Sequence, residues 1–419
     1  MIVPGDVVTL VPDKPAAGGR MVARHEGLVV LVAGAIPGER VRVRIERVER
    51  SHAFGTVEEV VDPHPARRPV RGDPRCGGAV YAHITYDEQC RLKGDVIRDA
   101  LARLGRMPAP ASIPVAPSPE QAYRMRARLH LRGGRVGFFL EGTHQVCDAA
   151  MTGQLLPDAT AAVHLVVQEF VAAGLRGDAD VDLSENRAGD ERAIHIELSP
   201  KAAIESAGAL RPVAGVTGLA WSQSRAVREQ WAYGRPFVED IIRGVRLRRH
   251  ARAFFQGNRF LLDGIVTAVV DACLPGSVVD LYAGVGLFGV CLAATGRHRV
   301  IAVEGHSASA ADLRVNAEPF GAAIRIEQTS VERFVAAAAP GGGLTLVLDP
   351  PRSGMTREAA DGAIAMGASR VVFVSCDVAT FARDLRRFVD AGYRLESVRG
   401  FDLFPTTAHV EALAVLSRE

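Results

Sequence analysis

The sequence predicts an α/β fold: a doubly wound, mostly parallel sheet in the carboxy-terminal part, preceded by an amino-terminal β-barrel and a small central α+β region. Three observations carry this. From about residue 248, the apolar runs SVVDLYAG, HRVIAVEG, TLVLDPP and RVVFVSC alternate with helical stretches; short buried strands separated by helices are the signature of βαβ units. Residues 1 to about 60 instead hold the alternating runs VVTLV, GLVVLVAGA and ERVRVRIERV, broken by Gly and Pro turns, which reads as a small all-β unit. Finally, 419 residues with 48% hydrophobic and 23% charged content suffice for two or three packed domains and exclude wholesale disorder.

Taken in order, residues 1–62 form the barrel. Arg40, Arg42 and Arg44 recur at period two opposite Val41, Val43 and Ile45, so they project from one strand face. That is either an ordinary solvated face or the basic face of an OB-like nucleic-acid binder. The Pro- and Arg-rich run 63–74 reads as a linker. The central region, 75–245, holds a helix over Asp87–Leu104, a Pro-rich break at Met107–Pro119 and a hairpin around Gly133-Gly134. The sheet domain occupies 246–419. The net charge is only +2, and Lys14, Lys93 and Lys201 are the only lysines. No apolar run approaches the ~18 residues of a membrane span, and the amino terminus lacks the basic and apolar regions of a signal peptide, so a cytoplasmic protein is expected. Six cysteines without a CxxC do not make a disulfide framework in such a chain.

Ligands of a doubly wound sheet bind outside the carboxyl ends of its strands, and the residues with chemistry fall there. Gly284, Gly286 and Gly289 spell G-x-G-x-x-G directly after VVDLY, where glycine lets backbone approach a ligand. Glu304 ends the next strand, placed to accept ribose hydroxyls. This pair alone fits a dinucleotide as well as S-adenosylmethionine. Asp349 follows LTLVL and precedes Pro350-Pro351, which stop the strand and fix the carboxylate at the ligand edge. Cys376 follows VVFVS, and the helix after it offers an N-terminus to a thiolate. The other five cysteines read as inert. Glu411 lies in the apolar strand HVEALAVL, with His409 beside it; burial would raise the glutamate's pKa and strengthen it as a base.

A thiolate, a base and a methyl donor together suit one reaction. Carbon 5 of uracil is too weak a nucleophile to take a methyl group directly. Thiolate addition at carbon 6 makes it an enolate carbon, and a base must then remove its proton so that the thiolate can leave.

At this point the chain resembles the RNA uracil-5-methyltransferases. The matching pieces are FFQGN (Phe254–Asn258), DLYAGVGLF (Asp280–Phe288), AVEG (Ala302–Gly305), DPPRSG (Asp349–Gly354), VSCDVATFARDL (Val374–Leu385) and FPTTAHVE (Phe404–Glu411). GERVRVRI resembles the family's TRAM domain, while QCRLK (Gln89–Lys93) and YRMRARLHL (Tyr123–Leu131) resemble its central domain. The resemblance implies a Rossmann-like, S-adenosylmethionine-dependent methyltransferase domain behind the OB-like TRAM barrel. It makes Cys376 the nucleophile and Glu411 the base. Gln256, Tyr282, Gly284, Gly286, Glu304 and Asp349 then surround the cofactor; Leu287 and Ser330 lie near further ligand positions but are not taken as contacts. Two departures stand out. Asp377-Val378 replaces the family's usual Asn-Pro. Of the four cysteines that hold a [4Fe–4S] cluster in many members, only Cys76 is retained; Val70, Ala79 and Met151 stand at or near the others, with Cys147 slightly too early. No cluster and no other metal is expected.

The resemblance implies an RNA partner whose target uridine leaves its stack, with Phe255 or Phe404 available to stack on it. The attached barrel favours 23S ribosomal RNA over transfer RNA. A monomer is expected. The competing readings are an RNA cytosine-5-methyltransferase, which would carry a second cysteine near DPPR, a catalytically silent RNA-binding assembly factor, and an NAD oxidoreductase in which Cys376 has no role.

Overall fold

The computed structural model describes residues 2–70, 72–206, 208, 210–224, 229–339 and 342–418. Strands β1 (Val7–Leu10), β2 (Lys14–Pro15), β3 (Met21–His25), β4 (Leu28–Ala33), β5 (Arg40–Val48) and β6 (His52–Asp62) form one sheet in the order β1-β5-β6-β4-β3-β2. Its inner face is apolar because the strands alternate: Val41, Val43 and Ile45 are buried with Met21, Val30 and Val32. Arg40, Arg42 and Arg44 do point outward, but they do not make a free basic face. Antiparallel β6 sets Asp62 opposite Arg40 and Glu59 opposite Arg42; Arg40 pairs with Asp62, Arg42 with Glu59 and Arg44 with the nearby Glu58. Two further arginines, Arg47 and Arg20, lie over the Phe54 ring at 4.4 and 5.3 Å, and they too are paired, with Glu49 and Glu46.

The 63–74 run is a strap rather than a slack linker. Arg67 grips the buried Glu39 through Nε and Nη2 at 2.5 and 2.6 Å, and Arg68 binds Glu120. Helix α1 (Tyr86–Arg103) carries Asp87 and Glu88 in its first turn and Arg103 in its last, complementing the helix dipole. Its Leu92 enters the barrel core. Its Val96, Ile97, Ala100 and Leu101 enter the core of the carboxy-terminal sheet, together with Met107 and Ile113. The expected 75–245 region is therefore shared: α1 and the short β7 (Val115–Ala116), which pairs with the last sheet, pack with the carboxy-terminal half.

The rest of that region is a sheet of β8 (Arg126–Arg132), β9 (Arg135–Phe139), β10 (Val146–Cys147), β11 (Ala179–Glu185), β12 (Arg192–Leu198), β13 (Gly218–Ser222) and β14 (Gln230–Gly234), in the order β10-β9-β8-β11-β12-β13-β14. Helix α2 (Pro157–Ala172) covers one face through Val163, Val166 and Phe170. The opposite face is polar, with Arg128 held by Asp180, Asp182 and Glu197. A hairpin, β15 (Phe237–Ile242) and β16 (Val245–His250), follows.

The carboxy-terminal half runs α3 (Leu262–Ala272), β17 (Gly276–Leu281), α4 (Leu287–Ala294), β18 (His298–Val303), α5 (Ser307–Ala317), β19 (Ile324–Glu327), α6 (Val331–Ala337), β20 (Thr345–Leu348), α7 (Arg357–Ala365), β21 (Arg370–Ser375), α8 (Val378–Asp390), β22 (Arg394–Phe401) and β23 (Glu411–Ser417). The sheet order is β19-β18-β17-β20-β21-β23-β22-β7. Strands β17 to β21 are parallel, and β23 is antiparallel to β21. The chain travels outward from β17 to β19 and then returns to β20, so the strand order reverses between β17 and β20. Doubly wound sheets open their ligand crevice at such a reversal.

Candidate active site

Four of the predicted residues are successive strand ends at this crevice. Tyr282 follows β17, Glu304 follows β18, Asp349 follows β20 and Cys376 follows β21. Glu411 reaches the same edge by the opposite route. Because β23 is antiparallel to β21, with Ser375 opposite Ala412, its first residue lies where the parallel strands finish. Gln256 arrives from the segment before α3, and its Nε2 donates to Asp349 Oδ2 at 3.3 Å.

The glycine loop is shaped by close packing. Gly286 has φ 93°, and a Cβ there would meet Val290 and Leu313 at 2.5 and 2.6 Å. At Gly289 a Cβ would strike the Asp280 carboxylate at 2.7 Å, which is how the Gly289 N–H comes to donate to Asp280 Oδ2 at 2.8 Å. Gly284 has φ 58° and open space where its Cβ would stand. Its N–H donates to Glu304 Oε2 at 2.7 Å, and the His306 N–H donates to Oε1 at 2.6 Å. The Glu304 carboxylate is thus locked in orientation with lone pairs left over. Tyr282 adopts φ 66° without being glycine, a strained conformation that the surroundings must impose.

The electrostatics of the reactive groups follow from burial. Glu411 is 2% exposed; burial and then the neighbouring Asp349 hold its carboxyl well above the usual range, while Arg352 pulls it back. Asp349 is pushed up to about 7 by burial, against the hydrogen bond from Gln256. The Cys376 thiol is pushed up to about 12, by burial first and Glu411 second, and the Arg352 guanidinium beside it opposes both. His409 is driven down to about 4 by burial and then by the Arg352 charge, so it is a neutral imidazole at pH 7. Two crowded carboxyl groups favour retaining a proton, and Arg352 is a cation that acts on the Cys376 thiol and the Glu411 carboxyl alike.

The segment leading into Glu411 is held by a buried knot. Lys93 of α1 donates to Asp402 Oδ1 at 2.5 Å and to the Phe404 carbonyl at 3.0 Å, and both side chains of the ion pair are 0% exposed. Gln89 accepts from the Thr406 N–H at 2.9 Å and donates to the Tyr81 and Ile84 carbonyls. Asn258 donates to Ser118 Oγ and the Leu403 carbonyl while accepting from the Phe260 and Leu261 N–H groups. Sequence reasoning matched QCRLK without a role for its side chains. One signal was available: a lysine in so arginine-rich a chain marks a place where a compact ammonium fits and a guanidinium does not.

Other expectations land differently. The helix after Cys376 does not offer its N-terminus to the thiol, because Asp377 accepts from Ala379 and Thr380 N–H at 3.0 and 2.8 Å and caps α8 itself. That explains how the departure from Asn-Pro is accommodated. Leu287 is core, and Ser330 caps α6 by accepting from Arg333 N–H. Phe255 is 3% exposed and buried against the core, whereas Phe254 is 57% exposed beside the site. Cys76 and Cys147, read as inert, form a disulfide with Cα atoms 5.9 Å apart. The fold brings the loop of Cys76 onto β9 through a bridge to Leu140, a contact that no local pattern reveals. Among the described residues no group of three or more His, Cys, Asp or Glu side chains is placed to hold a metal, and no helix is long and apolar enough to cross a membrane.

Comparison with known proteins agrees with this geometry. Residues 343–419 match the tRNA (Uracil-5-)-methyltransferase family model, and residues 8–57 match the TRAM domain. An uncharacterised RNA methyltransferase of Thermosynechococcus vestitus is 31% identical over 456 residues, covering 99% of this chain and 98% of that protein. One from Streptomyces avermitilis is 32% identical over 96% of each. The crystal structure of the Pyrococcus abyssi tRNA (uracil-54, C5)-methyltransferase with S-adenosyl-L-homocysteine shares the fold, with TM-score 0.75, 22% identity, and 97% of this chain and 99% of that one covered. With the TRAM sheet, the glycine-loop crevice and Cys376 facing Glu411 already in place, these relatives establish that the chain belongs to the RNA uracil-5-methyltransferase family.

Proposed function

We propose that the enzyme methylates carbon 5 of a uridine in 23S ribosomal RNA, with Cys376 as nucleophile and Glu411 as the base that ends the reaction. The observation that carries this reading is the convergence of a thiol, two proton-retaining carboxyls and one guanidinium at the strand-order reversal. S-adenosylmethionine, when bound, supplies an electrophilic methyl group. The residues present fit it: Gly284 leaves open space, the pinned Glu304 carboxylate retains lone pairs for ribose hydroxyls, and Tyr282, Gly286, Gln256 and Asp349 line the same crevice.

Cys376 releases its proton to solvent and its sulfur bonds to carbon 6 of the extruded uracil, breaking the carbon 5–carbon 6 π bond and moving its electron pair onto carbon 5. Arg352 favours the thiolate against burial and Glu411. After carbon 5 is alkylated, Glu411, having first lost its own proton to solvent, takes the remaining carbon 5 proton; the carbon–hydrogen electron pair reforms the ring double bond, and the Cys376 thiolate leaves. A carboxylate with a raised pKa is the stronger base for that step. Neutral His409 supports Phe404 edge-on at 6.2 Å between ring centroids.

We further propose residues 1–62 as the TRAM barrel, 75–245 as RNA-binding and 246–419 as catalytic, with α1 and β7 serving the last. The barrel is what favours ribosomal RNA. A transfer RNA substrate is the second reading, since a tRNA enzyme shares the fold across 97% of this chain. Labelled S-adenosylmethionine with bulk ribosomal and transfer RNA, followed by nucleoside mass spectrometry, decides between them. Label in 5-methyluridine from ribosomal RNA supports the first reading, and label from transfer RNA replaces it with the second. Label in neither, with cofactor bound, removes both.

A further inference from the structure

Arginine in this chain is nearly always matched to an acid where it is buried. Arg67 holds Glu39, Arg192 and Arg259 hold Glu185, Arg248 holds Asp312, and Arg249 holds Asp240. Arg370 and Arg387, away from the site, are half-buried without an ion pair among the described residues, and at the site itself Arg124 and Arg126 break the rule. Arg124 and Arg126 lie two residues apart in extended chain entering β8, so they share its polar face. Both are largely covered, and among the described residues neither forms an ion pair. Arg124 donates Nη1 to the neutral Gln154 Oε1 at 2.7 Å and Nε to the Arg126 carbonyl at 3.0 Å. Its guanidinium lies over Phe138 and Phe404 at 4.9 and 5.7 Å. Arg126 donates only to the Ala253 carbonyl, at 3.0 Å, and lies over the exposed Phe254 at 5.6 Å. Further along the same face, Arg128 has three acids around it. The compensation stops where β8 meets the catalytic edge.

Covering a cation without an anion is costly, and the groups around this pair add to the cost. Arg352 acts on Arg124 across the site, and Arg126 feels the charges of Arg124, Arg249 and Arg128 in addition to burial. Asp182 is the acid acting on Arg126. A site that concentrates uncompensated guanidinium groups beside exposed aromatic surface is built for an anion from outside. The planar fork of arginine suits phosphate oxygens in a bidentate manner.

We infer that Arg124 and Arg126 form a phosphodiester receptor that anchors the backbone flanking the extruded uridine, with Arg352 as its opposite wall. The inference rests on RNA being the substrate. Phe254 and Phe404 then present ring faces to bases adjoining that backbone.

The test is filter binding of radiolabelled, fragmented ribosomal RNA across a KCl series, with methyl transfer measured on the same RNA. Arg124→Gln and Arg126→Gln should each lower the slope of log affinity against log salt by about 0.7, the value for one single-strand phosphate contact. Arg124→Lys and Arg126→Lys should restore the slope, while S-adenosylhomocysteine binding stays at wild-type strength throughout and reports correct folding. In methyl transfer the Gln variants should raise KM tenfold or more, with a smaller effect on kcat. An unchanged salt slope in the Gln variants overturns the receptor, whatever the activity. Slopes that fall in an enzyme that methylates no uridine overturn the proposed reaction and leave the receptor standing.

Discussion

Replacing Lys93 by methionine tests how the catalytic edge is held. The Lys93 ammonium and Asp402 carboxylate are both fully buried, and Asp402 Oδ2 already lacks a partner. Removing one member of a buried pair leaves the other charge uncompensated, which costs about 3–5 kcal/mol. The Phe404 carbonyl loses one of its donors as well, keeping those of Thr407. Burial already raises Asp402, with Lys93 as the main opposing influence, so the lone carboxyl takes up a proton and the lower end of that range applies. At about 2–4 °C per kcal/mol for a domain of this size, Lys93→Met should melt roughly 6–12 °C below wild type by differential scanning calorimetry. Lys93→Met with Asp402→Leu should return most of that loss, because a buried pair exchanged for well-packed apolar groups is often neutral or better. The 402–410 segment stays without its lysine anchor in the double variant, so kcat should remain depressed while cofactor affinity does not. A single variant that melts within about 1 °C of wild type refutes the reasoning, as does a double variant no more stable than the single.

Cys376→Ala should abolish methyl transfer while leaving S-adenosylhomocysteine binding, measured by calorimetry, within about twofold. Glu411→Gln should accumulate a covalent protein–RNA species on a denaturing gel, because elimination is blocked after the sulfur has added; absence of the adduct moves the base elsewhere. Asp280 is pushed up to about 8 by burial. Its folded pKa lies above its unfolded one, so between about pH 4 and 8 the native state binds the extra proton and stability falls as pH rises; Asp280→Asn should flatten that decline in urea melts at pH 5 and 8. Cys76→Ser should lower the melting temperature under oxidising conditions and make it insensitive to dithiothreitol, since the disulfide closes a 71-residue separation; equal wild-type melts with and without reductant would remove its role.

What the sequence made legible was whatever recurs at short period or sits at a strand end. The parallel strands, the glycine loop, Asp349 and Cys376 all follow from apolar runs terminated by special residues. Glu411 was legible as an acid in an apolar strand, though not the reason it reaches the site, which is the antiparallel insertion of β23. Features that depend on residues far apart in the chain were not legible. The acids of β6 that neutralise Arg40, Arg42 and Arg44, the Cys76–Cys147 bond and the Lys93–Asp402 pair, 309 residues apart, each join segments whose local patterns carry no trace of the partner. The Asp377 cap was legible too, since an acid directly before a helix is a standard N-cap.

The charge state of the ligand-free site bears on why it does not react indiscriminately. The Cys376 thiol is pushed up to about 12 and Glu411 well above its usual range, so neither the proposed nucleophile nor the proposed base is in its active form at neutral pH. Both shifts originate in burial, and both are opposed by positive charge from Arg352. Any cation that enters the crevice acts in the same direction: it favours ionised Asp349 and Glu411 and the thiolate together. The methyl donor carries such a charge on its sulfonium. Cofactor binding should therefore speed alkylation of Cys376 by iodoacetamide, measured by mass spectrometry of the modified peptide, whereas uncharged S-adenosylhomocysteine, which fills the same space, should not. Equal protection or equal acceleration by the two ligands would show that access, and not charge, governs the thiol.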